Sequence, residues 1–204
     1  MDEREIQAIL AFHEETDLAP SLSQLSVKTS ILPIGKSWKD SNLPEKPCEL
    51  FILVVDAQTG ISKGMIDAWT HFAERQTPRM MLVQGIEFSE SDFDDLVLIG
   101  NRVLESFATP YLVLHDELGL PTGLISLIDG LVHDYSGSEK QSYQAEPELL
   151  DLVADFQYEY QESFQELGAD GFVSGLYPIA LPIGSNKKFG IDEANEIIKV
   201  LSRP

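Results

Sequence analysis

Leu50-Phe51-Ile52-Leu53-Val54-Val55-Asp56 is the stretch on which the reading of this chain turns. An unbroken apolar run closed by a carboxylate has no polar face to offer water, so it reads as a strand covered on both sides inside a parallel sheet. Ala57 to Gly60 reads as a turn. Ser62 to Arg75 follows with Met65, Ile66, Trp69, Phe72 and Ala73 on one helical face. Pro78 then precedes a second buried run, Met80 to Val83. Strand, helix and strand in that order form a βαβ unit, the connection that parallel neighbours require.

Working outward, Val27 to Ile34 reads as a strand and Gly35 to Pro47 as an irregular connection. Before them, Asp17 to Ser26 reads as loop. Ile6, Ile9, Leu10 and Phe12, with Asp2 and Glu5 spaced as a capping box, predict a short amphipathic helix at the start. On the other side, Asp92 to Phe107 repeats the helical pattern and Tyr111 to Leu114 is a short strand. Gly123 to Tyr135 fits either a strand pair or a helix and a strand, and Ser136 to Pro147 is polar and breaks the pattern. From Pro147 the residues Leu149, Leu152, Val153, Phe156, Tyr160, Phe164 and Leu167 predict a long acidic helix stopped by Gly168. Tyr177 to Ile183 is a further apolar strand, and Gly190 to Leu201 a closing helix. The alternation predicts one α/β domain over residues 1–204, a mainly parallel sheet with helices on both faces, and residues 136–171 as an acidic helical insertion.

Composition narrows the function. With 34 acidic against 14 basic residues the formal net charge is −20, a field that repels phosphate-rich surfaces and disfavours non-specific contact with nucleic acid or anionic lipid. Cys48 is the only cysteine, so no internal disulfide can form. The acidic N-terminus is unlike a signal peptide, and no apolar stretch approaches the ~18 residues of a membrane span, so a cytoplasmic location without membrane contact is the expectation.

The run Leu53 to Ile61, Trp69, and Pro78-Arg79 before the next strand resemble the G domain of bacterial elongation factor G and its relatives. There a strand ends in Asp-Ala-x-x-Gly-Val, and a helix with a Trp, then Pro-Arg, follow at matching spacing. The similarity continues through Asp92-Phe93, Leu120 to Ile128, Tyr177-Pro178-Ile179, Gly184-Ser185 and Gly190-Ile191 to Pro204, covering roughly Val27 to Pro204.

The resemblance implies a P-loop-GTPase-like topology with its N-terminal phosphate-loop portion missing, since only about fifty residues precede Leu50. Gly35-Lys36-Ser37 ends like a phosphate loop, but Ser30 replaces its first glycine and Pro33 removes a donor. The family's Asp-x-x-Gly-His would place Leu32 at the aspartate that organises Mg²⁺ and Lys36 at the histidine. Its guanine-reading Asn-Lys-x-Asp becomes Gln84-Gly85-Ile86-Glu87, and Gly184-Ser185 stands at its Ser-Ala. Gly35, Lys36, Ser37, Gln84, Glu87, Gly184 and Ser185 are thus the residues of a degenerate nucleotide site, with no catalytic residue, metal or cofactor expected.

Other chemistry finds less support. His115-Asp116-Glu117 and His133-Asp134 set ligand types side by side, but adjacent strand residues point to opposite faces, so they read as surface polar residues. Cys48 reads as a small packed residue. Glu148, Asp151, Asp155, Glu159, Glu162 and Glu166 read as a solvated helix face, or else as a docking surface for a basic partner protein. The resulting expectation is a G-domain-like fold that has lost GTPase function and binds an unidentified protein; the alternative is a divergent guanine-nucleotide-binding protein or GTPase. The sequence does not fix an oligomeric state.

Overall fold

The computed structural model describes residues 5–39, 43, 48–89, 92–164, 167–184 and 188–202. In chain order these form β1 (Gln7–His13), a 3-10 helix (Pro20–Gln24), β2 (Lys28–Ile34), β3 (Leu50–Asp56), α1 (Lys63–Ala73), β4 (Arg79–Gln84) and α2 (Phe93–Val103). There follow β5 (Tyr111–His115), β6 (Pro121–Ser126), β7 (Leu131–Asp134), β8 (Gln141–Gln144), α3 (Pro147–Phe164), α4 (Gly168–Val173), β9 (Ile179–Pro182) and α5 (Ile191–Ile198). Five strands make a parallel sheet in the order β2-β1-β3-β4-β9, and β5 to β8 make a separate antiparallel sheet in sequence order.

The N-terminal helix expected from Ile6, Ile9, Leu10 and Phe12 is instead strand β1, paired with β2 on one side and β3 on the other. Ala8, Ile9, Leu10 and Ala11 are all buried in succession. Both sides of this segment face apolar layers, a demand that a strand meets and a one-striped helix does not. Asp2, half of the expected capping box, lies outside the described residues.

The central strands create two cores. On one face Ile9, Phe51, Leu53, Val55, Met81 and Val83 pack under α1 and α2 through Met65, Trp69, Phe72, Phe93 and Leu96. On the other, Leu10, Ile52, Val54, Leu82 and Leu181 meet Leu22 and Leu25 and the apolar sides of α4 and α5. Complete burial of such a side chain stabilises by about 1.5–3 kcal/mol, so β3, buried on both faces, anchors the fold. The Ser62 hydroxyl caps α1 by accepting from the Met65 N–H, and the Asp92 carboxylate caps α2 by accepting from the Asp95 N–H.

Two of the sequence landmarks meet at the amino end of this sheet. The Arg79 guanidinium donates to both oxygens of Glu105, at 2.7 and 3.0 Å, and Trp69 Nε1–H donates to the same carboxylate at 2.8 Å. The spacing of Trp69 and Arg79 therefore serves a partly buried clasp between α1, β4 and the segment just after α2.

Tyr111 to Leu114 does not extend the parallel sheet but opens the antiparallel one. Gly123 to Tyr135, which sequence left between two readings, is a hairpin; Gly130 turns with φ 70° beside Asp129, a backbone region open to glycine. The polar stretch after Ser136 contains β8 as well as connection. Ile125, Leu127, Val132 and Ala145 rest against Val153 of α3. Among the described residues no helix is long and apolar enough to cross a membrane.

Candidate functional site

Because the five strands run parallel, their carboxyl ends share one edge. The order reverses between β1 and β3, with β2 outside β1 and the remaining strands on the other side. In open α/β sheets that reversal leaves a crevice in which ligands bind. The segments after β1 (14–19), β2 (Gly35), β3 (56–60), β4 (84–87) and β9 (Gly184) all reach this edge.

In this protein the crevice is filled from within. Residues 14–19 read Glu-Glu-Thr-Asp-Leu-Ala, with three carboxylates and no glycine. Several of their backbone donors are engaged: Glu14 N–H with Ile34 O at 2.9 Å, Thr16 N–H with His13 O at 2.8 Å, and Glu15 N–H with His13 Nδ1 at 3.3 Å. Ala19 N–H donates to Gln84 Oε1 at 3.0 Å, while Gln84 Nε2 donates to Asp17 O at 2.8 Å and Asp56 Oδ2 at 3.1 Å. One buried amide thus ties the loop after β1 to the ends of β3 and β4.

Gly35 is pinned on two sides. A Cβ there would stand 2.8 Å from Glu14 Oε1, and a Cβ on Gly64, in the first turn of α1, would stand 2.4 Å from Gly35 O. A phosphate at this place would meet the Glu14 carboxylate, and like charges at such a distance repel. Lys36 and Ser37 are exposed beyond it. The chain then crosses to α1, where the Trp38 ring meets His71 edge-on at 4.9 Å, and among the described residues between β2 and β3 there is no helix. Leu32, at the position implied for the metal-organising acid, is buried in the core.

Glu87 and Gly184 do come together. With Ile86, Phe88, Tyr135 and Phe189 they line a pocket of about 220 Å³. The Gly184 carbonyl accepts from Ser21 Oγ at 2.8 Å. Ser185 lies outside the described residues. The six described residues of that set fall in different places: Gly35 and Gln84 at the crevice, Glu87 and Gly184 in the pocket, and Lys36 and Ser37 exposed beyond Gly35.

A polar cluster that sequence reading passed over lies beside that pocket. His133, read as a surface residue, is largely buried, and its Nδ1 is paired with Oε1 of Glu193 on α5. Tyr135 donates its hydroxyl to both Glu193 oxygens at 2.8 and 2.6 Å, and Lys140 reaches Oε1 at 3.1 Å. Burial opposes ionisation of Glu193, but hydrogen bonds from His133 and Tyr135, with the Lys140 charge, hold its carboxyl down at about 2. The same burial and the Glu193 charge push the Tyr135 phenol upward. His133 and Tyr135 sit two apart on one strand face, the one sequence signal that could have grouped them. Among the described residues no set of three or more His, Cys, Asp or Glu side chains could hold a metal ion. Burial chiefly, with the nearby Glu49 charge adding, pushes the Cys48 thiol up to about 11, which leaves it a poor nucleophile.

No family model and no curated protein matches this chain. Among solved structures, the crystal structure of ttk003000868 from Thermus thermophilus is similar, with a TM-score of 0.67 and 17% identity. The fold is shared. That likeness covers 97% of this chain and 40% of the Thermus chain, so this chain spans well under half the length of that one.

Proposed function

We propose that this chain is a translational-GTPase-like G domain of the elongation factor G kind that works without nucleotide, as a protein-interaction module. Support for the scaffold comes from placement. The stretches that resemble the family's nucleotide motifs, at Gly35, Gln84 to Glu87 and Gly184, leave the same edge of one parallel sheet, as does the landmark strand end at Asp56 to Gly60. The observation that carries the loss of function is the occupied crevice. The Gln84 amide and the Glu14 carboxylate stand where a phosphate would need free N–H donors and a neighbouring cation.

Calorimetric titration with GTP and with GDP, each with Mg²⁺, tests this. No heat of binding is expected. Affinity on the order of micromolar or tighter would overturn the reading. The pocket shared by Glu87 and Gly184 favours a second reading, in which a guanine nucleotide is held weakly through its base. In that case the titration shows binding, and Lys36→Ala tells whether the exposed lysine contributes to it.

A further inference from the structure

We propose that the groove between α2 and α3 receives a basic amphipathic helix from a partner protein; this rests on the interaction-module reading and supplies the chemistry of the partner. α3 leans on the antiparallel sheet through Leu149, Leu150, Val153 and Tyr160. On its outer side Leu152 is 75% exposed and Phe156, one turn later, 52%. A hollow of about 270 Å³ separates this line from α2, and Val97, Phe107, Phe156 and Tyr160 alternate in its walls with polar Asn101 and Glu159. Leu98 on α2, one turn before Asn101, is 52% exposed. Apolar side chains stand at one-turn spacing along α3 at Leu152, Phe156 and Tyr160, the last two facing Val97 of α2 and Phe107 across the hollow, and match the way a docked helix sets its own anchors.

Charge selects the occupant. α3 carries Glu148, Asp151, Asp155, Glu159 and Glu162 with no Lys, Arg or His, and α2 carries Asp94 and Asp95 against Arg102 alone. A field of that sign rejects nucleic acid and anionic membrane and attracts a cationic segment. A helix with leucines along one face and lysines along the other satisfies both the walls and the rim.

The test uses the full chain and a synthetic Leu/Lys amphipathic helix, followed by fluorescence anisotropy at about physiological salt, where long-range attraction between exposed charges is largely screened. A scrambled peptide of the same composition is the control. Binding at least about tenfold tighter for the amphipathic peptide is expected, and a Leu152→Ser/Phe156→Ser double variant should lose about tenfold or more. An Asp151→Lys/Asp155→Lys variant, changed only at exposed positions, should lose as much and serves if the first variant is poorly folded by circular dichroism. Equal binding of both peptides, no binding of either, or an unaltered affinity in folded variants overturns the groove. GTP titration of the same sample judges the other reading separately: nucleotide binding with peptide binding intact removes the non-nucleotide function and keeps the groove.

Discussion

Gln84, in the crevice above the parallel sheet, has its amide oxygen and nitrogen both engaged by the chain's own groups, whereas Phe156 on α3 leaves half of its ring in water. The first region closes on itself at the place where related sheets open to ligands. The second presents apolar groups exposed to water and a row of carboxylates on one helix. A crevice can close while a helix face stays open, because the two are built from different residues on the same frame.

The largest expected effect lies in the buried polar cluster beside the pocket of Glu87 and Gly184. Glu193→Ala removes the acceptor beneath His133, Tyr135 and Lys140 and should cost about 3–5 kcal/mol in urea unfolding, as expected when one partner of a buried charged cluster is deleted. The same group predicts a pH dependence. Its carboxyl lies near 2 in the fold against 4.5 ordinarily, so its contribution is complete above pH 4.5 and is lost as pH falls from there toward 2. Glu193→Gln should lack that component of acid sensitivity.

Next in size, Gln84→Leu leaves Ala19 N–H and Asp17 O without their partner and should cost about 2–3 kcal/mol. A neutral result would show that Gln84 does not seal the crevice. Gly64→Ala forces α1 away from the Gly35 carbonyl and should cost about 1–3 kcal/mol despite the better helix propensity of alanine. At the other end of the comparison, Leu152→Ser should alter the unfolding free energy by no more than about 0.5 kcal/mol, since its side chain stands largely in water. A large loss there would mean that the exposed line on α3 belongs to the fold.

Much of the frame was legible because burial on both faces writes itself as consecutive apolar residues. Leu50 to Val55 and Met80 to Val83 are of that kind, and both are strands. The same rule applied to Ala8 to Ala11 would have revealed β1, but alanines weaken the apolar signal and the helical spacing of Ile6, Ile9 and Leu10 competed with it. The filled crevice was not legible at all. It depends on Gln84 meeting Asp17 and Ala19 across 67 and 65 residues of sequence, and a glutamine at a strand end looks the same whether it faces a ligand or a loop. His133 and Glu193 were hidden for the same reason, being 60 residues apart.

Pro33 also shapes the edge of the parallel sheet. β2 is an outer strand, and it bonds to β1 through Lys28 N–H and Ile34 O, so the alternate residues, Pro33 among them, turn their backbone toward the open side. A ring nitrogen there offers no donor to an arriving strand. The sheet is thereby blunted against growth by addition of another chain, a safeguard that persists in acid, where protonation would silence the repulsion between carboxylates.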